Sequence, residues 1–428
     1  MLFNQTLTYI SLFSGAGVGC YGFLEEGFEC IATNETLEKR LNIQRINNKC
    51  KFDEGYICGD IKELEIKEKI LKRIEFYSKN FGNDRVDLVV ATPPCQGMSV
   101  ANHKKKNDEI KRNSLVIESV DLIKQIKPRF FILENVPSFY KTGCIDKNDN
   151  LLEIGTMIEQ NLSGDYMLYD EVINFKNFGA NSSRTRTLVI GVCKEFKDFT
   201  SALEFFPDFK QEKTLKEVIG SLKPLTWGEY DSTDFYHSFR TYPKHMQEWI
   251  KDLKEGQSAF ENVQDAISDL AYLCSNEGAF ESDYLNPIQS SYQALMRKNS
   301  PKLYNHQATN HSQAALEKLK LINKEQGKEC LPKNLHGKQQ FKSTWGRLNW
   351  NKISPTIDTR FDTPSNGTNS HPELHRSITP REAARIQSFS DDYIFYGNKT
   401  SVCKQIGNAV PPLLALALGK AILKNLRK

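Results

Sequence analysis

The 428-residue chain predicts an α/β fold, a doubly wound parallel sheet interrupted by a second, smaller and irregular domain. Three observations carry that expectation. Apolar, β-branched runs alternate with helix-spaced segments through residues 8–193. Several of these runs end in glycine, proline or an acidic residue, the side chains that open α/β sheets gather at their carboxyl edge. From residue 199 to about 342 the rhythm is lost, and it returns near residue 347.

The first strand-like run, residues 8–13, leads into Ser14-Gly15-Ala16-Gly17-Val18-Gly19, with a helix expected to begin near Gly19. Glycines there allow a tight turn and a close approach of backbone to a ligand, although such a turn often means only a short βα connection. The second run, residues 28–33, ends in Asn34-Glu35. An acidic residue about 20 positions beyond the glycines is where nucleotide-type folds hold ribose hydroxyls. A third short element closes in Cys58-Gly59-Asp60-Ile61, which puts Asp60 at another strand edge. Residues 65–80 carry Ile66, Ile70, Leu71 and Ile74 at helical spacing and read as a packing helix.

The buried run 86–91 is followed by Thr92-Pro93-Pro94-Cys95-Gln96-Gly97. Two prolines offer no N–H to a sheet ladder, so the chain turns where the strand ends and presents Cys95 at the sheet's edge. Taken alone, Cys95 is as readily a small buried hydrophobe as a nucleophile. Residues 101–113, with Lys104, Lys105, Lys106, Lys111 and Arg112, read as a solvated loop or as a basic lid. A helix is expected over 115–126. The strand 129–133 then ends in Glu134-Asn135-Val136-Pro137, and a carboxylate there is costly unless it is paired or used. Arg184 and Arg186 precede a strand over 188–193; alternate positions share a face, which suits a carboxylate or phosphate.

Charge divides the irregular region. Residues 199–285 hold 8 Lys/Arg against 16 Asp/Glu, whereas residues 286–345 hold 10 against 3. The basic half is a plausible footprint for nucleic acid, with a solvated helical face over 317–328 as the bland alternative. Beyond it, Ser354-Pro355-Thr356-Ile357, a capped helix opened by Thr379-Pro380-Arg381-Glu382, and Gln405-Ile406-Gly407-Asn408-Ala409-Val410-Pro411-Pro412 precede an apolar helix, residues 413–426. The domain division read here is 1–198 for the sheet domain, 199–397 for the inserted domain and 398–428 for a helix returning to the first.

The net charge of +4 is too small by itself to argue for a polyanionic partner. No apolar run approaches the ~20 residues of a membrane span, and the first residues do not resemble a signal peptide. Ten scattered cysteines without a C-x-x-C pair fit reduced thiols in a cytoplasm and give no metal site. His306 and His311 have no cysteine partner at metal spacing, so they read as hydrogen-bonding residues.

In this order and spacing, Phe13-Ser14-Gly15-Ala16-Gly17, Pro93-Pro94-Cys95-Gln96-Gly97, Glu134-Asn135-Val136, Arg184-Thr185-Arg186 and Gly407-Asn408-Ala409-Val410-Pro411-Pro412 resemble the DNA cytosine-5 methyltransferases of bacterial restriction–modification systems. The resemblance covers residues 9–194 and 347–426. It implies a Rossmann-like, S-adenosylmethionine-dependent methyltransferase domain, and it matches the middle in position to the family's variable target-recognition domain, its basic half being 286–345. It also implies that Cys95 adds to cytosine carbon 6, that Glu134 serves ring nitrogen 3 and that Arg186, with Arg184 beside it, orients the base. The cofactor residues it implies are Phe13, Gly15, Gly17, Glu35, Asp60, Ile61, Pro93, Asn408 and Val410. Gln96 and Ser99 fall in the loop that would close over a flipped cytosine, and Lys298, Lys302, Lys338 and Lys342 in the basic half are the DNA contacts expected. The implied partner is double-stranded DNA, met as a monomer, with a cognate endonuclease possible.

Two departures from the family pattern stand out: Val18 where glycine often recurs, and Thr36 where an aromatic residue is common, leaving stacking to Ile61 or another apolar group. A transfer-RNA cytosine methyltransferase would share Cys95 and Glu134 but not the inserted domain. An inactive homologue would lose the nucleophile or the glycine turn. An adenine methyltransferase would place an aromatic residue where Cys95 stands, and a dehydrogenase would not need Cys95, Glu134 and Arg186 together.

Overall fold

The structure is a computed structural model and describes residues 6–94, 113, 115–196, 202–206, 211–222, 281–282, 295–298, 300–309, 311–322, 327–335 and 343–426. The chain divides into two compact units, Met1–Glu212 with Ala409–Lys428, and Lys213–Asn408. These bounds fall later than the 198/199 and 397/398 read from the sequence. Packing explains the first difference: the turn Ala202–Phe205 lays Phe205 on Phe130, ring centroids 4.7 Å apart, and so stays with the sheet. The second difference arises because the helix Lys399–Gly407 packs with the helix Pro380–Ile386 inside the second unit.

The first unit is built on a seven-stranded sheet. Its strands are β1 (Thr8–Leu12), β2 (Glu29–Glu35), β3 (Tyr56–Cys58), β4 (Leu88–Ala91), β5 (Phe130–Asn135), β8 (Tyr166–Asn174) and β9 (Thr185–Cys193). A small hairpin, β6 (Gly143–Ile145) and β7 (Leu151–Glu153), stands apart. The order across the sheet is β3-β2-β1-β4-β5-β9-β8. Strands β1 to β5 are parallel, as the alternation predicts. The parallel expectation fails at β9, which pairs antiparallel with both β5 and β8. Only residues 175–184 join β8 to β9, too few for the crossover a parallel partner needs, so the chain turns straight back.

Strand alternation feeds two apolar layers. One face packs Ile10, Val89, Ala91, Phe131, Leu133 and Val189 against helices α3 (Leu64–Phe81), α4 (Leu115–Ile126) and α5 (Ile154–Leu162). The other packs Tyr9, Leu88, Val90, Phe130 and Ile132 against α1 (Tyr21–Glu25) and the helix Pro412–Leu426. Helix α2 (Glu38–Ile46) follows β2. By composition Lys399–Leu426 is long and apolar enough to cross a membrane, but it breaks at residues 408–411 into two helices. The second of these buries Leu414, Leu418 and Ile422 in the sheet's core, each contributing roughly 1.5–3 kcal/mol.

In the second unit the expected capping box is present: Thr379 accepts from the Glu382 backbone N–H while Glu382 accepts from the Thr379 N–H. The Glu382 carboxylate also receives a two-pronged bond from the fully buried Arg376, both arms 2.8 Å, and Arg385 grips Asp391 in the same way. Burial opposes ionisation of Glu382, yet Arg376 wins and lowers its pKa to about 2. His311 accepts the Ser377 N–H, and His371 those of Glu373 and Leu374, so both rings are held neutral. Burial lowers His311 to about 4 and His371 to about 3.

Below pH ~6.5 the unfolded chain takes up protons that these two folded histidines refuse. Stability of this unit is therefore full above that pH and is lost as pH falls toward about 4. Amide exchange of peptides spanning residues 371–391, corrected for intrinsic rates, should show easier opening at pH 5 than at pH 7. Equal opening would mean that the rings are protonated in the fold.

Candidate active site

The carboxyl ends of β1, β4 and β5 meet at one edge, and side chains fasten them where the ladder stops. The Thr92 N–H reaches Leu12 O at 3.3 Å and its hydroxyl donates to Phe13 O at 3.0 Å. Phe13 needs a left-handed backbone, φ +54°, to turn its carbonyl that way. Pro93 and Pro94 have no N–H to offer, and Asn135 Nδ2 instead donates to Pro93 O at 2.9 Å. On the far side, the Thr187 hydroxyl lies 3.1 Å from both Val136 O and Pro137 O. Pro93, two residues before Cys95, is thus tied to Asn135, the residue after Glu134. Sequence reasoning quoted Asn135 without giving it this role.

Glu134 is the second-to-last residue of β5 and is buried, with Leu188 of β9 opposite. Because β9 runs antiparallel, its amino end comes to the same sheet edge and brings Arg186 and Arg184 with it. Arg186 opens β9 rather than preceding a strand, since the strand begins at Thr185. Arg186 Nε stands 3.3 Å from Glu134 Oε1, and that oxygen makes no hydrogen bond among the described residues. Burial pushes the Glu134 carboxyl above its ordinary pKa, with Arg186 and then Arg184 pulling it down. The result is a buried carboxyl group whose proton is held more tightly than usual, one oxygen facing a cation.

Beside this lies the glycine turn. Gly15 and Gly17 have φ +54° and +83°, and a Cβ on Gly15 would meet nothing within 4 Å. A Cβ on Gly17 would stand 2.5 Å from Gln44 Cγ, so that position requires glycine. Gly19 makes room for Val410, whose Cβ would be 3.1 Å from an added Cβ. Glu35, 5% exposed, sits at the end of β2 and reaches back to the turn. Its Oε2 takes the Gly15 N–H at 2.9 Å, while Oε1 accepts from Thr36, Leu37 and Arg40. With one donor on Oε2, a lone pair remains there for a hydroxyl. Asn34 Nδ2 bonds Ile57 O and Gly59 O, both 3.1 Å, and so sets the end of β3 from which the half-buried Asp60 follows. Ile61 is 2% exposed inside the core, whereas Leu37, at the end of β2, is 41% exposed.

Cys95, Gln96, Ser99, Lys338 and Lys342 lie outside the described residues. Asn408 belongs to the second unit. Lys298 pairs with Asp392 at 3.5 Å, and the Lys302 carbonyl accepts the Ser300 hydroxyl at 2.7 Å.

The family model for C-5 cytosine-specific DNA methylases matches residues 7–424. The chain belongs to that family. Among its curated relatives, the type II methyltransferase M.DdeI of Desulfomicrobium norvegicum is 28% identical over 97% of this chain and 88% of its own length. M1.HphI of Haemophilus parahaemolyticus is 26% identical over 99% and 88%. A solved structure described as a DNA modification methyltransferase encoded within an E. coli prophage has a TM-score of 0.62 at 23% identity, covering 99% of this chain and 100% of its own, which bears on the fold. C-5 DNA methylases generally use S-adenosylmethionine. The residues of the glycine turn fit a nucleoside: open space at Gly15, with acceptors at the ends of β2 and β3.

Asn135→Asp keeps the acceptor for the Val136 N–H and removes the donor to Pro93 O. It should cost about 1–3 kcal/mol in denaturant unfolding of this methylase. An unchanged midpoint would show that the tie contributes nothing.

Proposed function

We propose that the chain methylates carbon 5 of a cytosine flipped out of a specific duplex site, and that it protects DNA within a restriction–modification system. The observation that carries this reading is the buried Glu134 oxygen without a hydrogen bond among the described residues, facing Arg186 at the sheet edge where the strand leading to Cys95 also ends. Cytosine carbon 5 is a poor nucleophile. Addition of the Cys95 thiolate to carbon 6 makes it enamine-like, and the charge that gathers on the ring is met at nitrogen 3 by a proton held on Glu134. A carboxyl with a raised pKa suits that role. Arg186 orients the base and stabilises the developing charge, with Arg184 beside it. S-adenosylmethionine supplies an electrophilic methyl group when bound. Once carbon 5 carries the methyl group, with S-adenosylhomocysteine as the leaving group, its proton passes to water, the Cys95 thiolate leaves carbon 6, and nitrogen 3 returns its proton to Glu134, which restores the ring.

Phe13, Gly15, Gly17, Glu35, Asp60, Pro93 and Val410 would hold the cofactor, with Asn408 and Ile61 in support. The unit Lys213–Asn408 would read the DNA, with Gln96 and Ser99 in the loop over the base and Lys298, Lys302, Lys338 and Lys342 on phosphates. The curated relatives named type II methyltransferases support a modification enzyme, and we propose that it works as a cytoplasmic monomer beside a cognate endonuclease.

Duplex DNA containing 5-fluorocytosine tests this directly. Fluorine blocks the final elimination, so wild type with S-adenosylmethionine should form a denaturant-resistant adduct and Cys95→Ser should not. No adduct from wild type on any duplex overturns the reading, and an adduct on transfer RNA alone changes the substrate class. Glu134→Gln should lower kcat by about 10²-fold or more while S-adenosylhomocysteine affinity holds. Equal losses would make Glu134 structural.

A further inference from the structure

The glycine turn rests on a hydrogen-bond relay that runs back to a buried cation. Gln44, on α2, is 0% exposed and lies under Gly17. Its Nε2 donates to Ser14 Oγ at 2.8 Å and to Gly15 O at 2.7 Å. Its Oε1 accepts the Thr33 hydroxyl at 2.8 Å. Thr33 Oγ1 in turn accepts from Lys49 Nζ at 3.1 Å, and Lys49 is 4% exposed.

The Gly15 carbonyl can only accept, so the Gln44 amide must present Nε2 to the turn and Oε1 to Thr33, whose hydroxyl spends its single proton there while its oxygen accepts from the Lys49 ammonium. That orientation directs both N–H groups of Gln44 at the turn. The Ser14 hydroxyl, an acceptor from Gln44, then donates its own proton to Asn34 O at 3.1 Å. Gly15 is thereby held at both of its polar atoms, its carbonyl by Gln44 and its N–H by Glu35 Oε2. Turning the Gln44 amide over would set its Oε1 against the Gly15 carbonyl, two acceptors face to face.

We propose that Lys49, Thr33 and Gln44 are positioning residues for the cofactor, holding Gly15 and Gly17 in their left-handed conformations and Glu35 against the turn. This rests on the reading of that turn as the S-adenosylmethionine site. None of the three need touch the cofactor; they act through Ser14, Gly15 and Glu35. A departure from glycine at position 18 is tolerable on this account, because the turn's shape is enforced from beneath.

The test uses the full chain, with S-adenosylhomocysteine as the calorimetric probe. Gln44→Glu keeps the shape and removes both donors; Thr33→Val keeps the shape and removes the bridge; Lys49→Met removes the cation that anchors Thr33. Each should weaken S-adenosylhomocysteine binding by about tenfold or more. In turnover, the loss should fall on KM for S-adenosylmethionine and far less on kcat. Wild-type affinity in variants whose Tm has dropped would overturn the proposal and leave the relay a stability device. Should one variant fail to fold, the other two still decide the matter. Failure of wild type itself to bind the probe would instead sink the assignment of the site.

Discussion

The site depends on a constraint imposed by ending strands: backbone groups that the ladder no longer satisfies must find partners at the edge. Here those partners are short polar side chains of the neighbouring strand ends. Thr92 caps β1, Asn135 caps the Pro93 carbonyl, and Thr187 caps the segment after β5. Each bond is modest, roughly 1 kcal/mol net. Their effect is geometric, because they hold the β4 exit and Glu134 in one register on two neighbouring strands.

Electrostatics then follow from chain direction. A sheet with β9 parallel to β5 would place Arg184 and Arg186 at the opposite edge. Antiparallel pairing puts the beginning of β9 beside the end of β5, and Arg186 arrives 3.3 Å from Glu134 without a loop of its own. Burial and the two arginines oppose each other on the Glu134 carboxyl, and burial prevails.

Much of this was legible in the sequence, and the exceptions have physical causes. Strands β1 to β5 show themselves as apolar runs because both faces of each are covered. Strand β8 was missed because it is an edge strand whose middle, Asp170-Glu171-Val172, faces solvent and reads as a loop. The start of β9 was hidden because its first residues are polar for the sake of the site. Phe205 gave no sign that its turn belonged to the sheet domain, since aromatic residues are frequent throughout the irregular region. In the second unit the Thr379 capping box could be read, but not the burial of Arg376, Arg381 and Arg385, because arginine usually signals surface. Gln44 carries no signal at all in one sequence. Its importance comes from lying under Gly17, a contact between segments 27 residues apart.

The helix Pro412–Leu426 covers the sheet face formed by Tyr9, Leu88 and Phe130, and it packs on α1 at residues 21–25. On the ribosome that partner emerges only after the whole of Lys213–Asn408, at about 5–20 residues per second. For tens of seconds the nascent chain carries one finished face, shielded by α3, α4 and α5, and one bare apolar face. The order of synthesis therefore makes this half of the molecule a natural client for chaperones and leaves enzyme maturation waiting on its final helix.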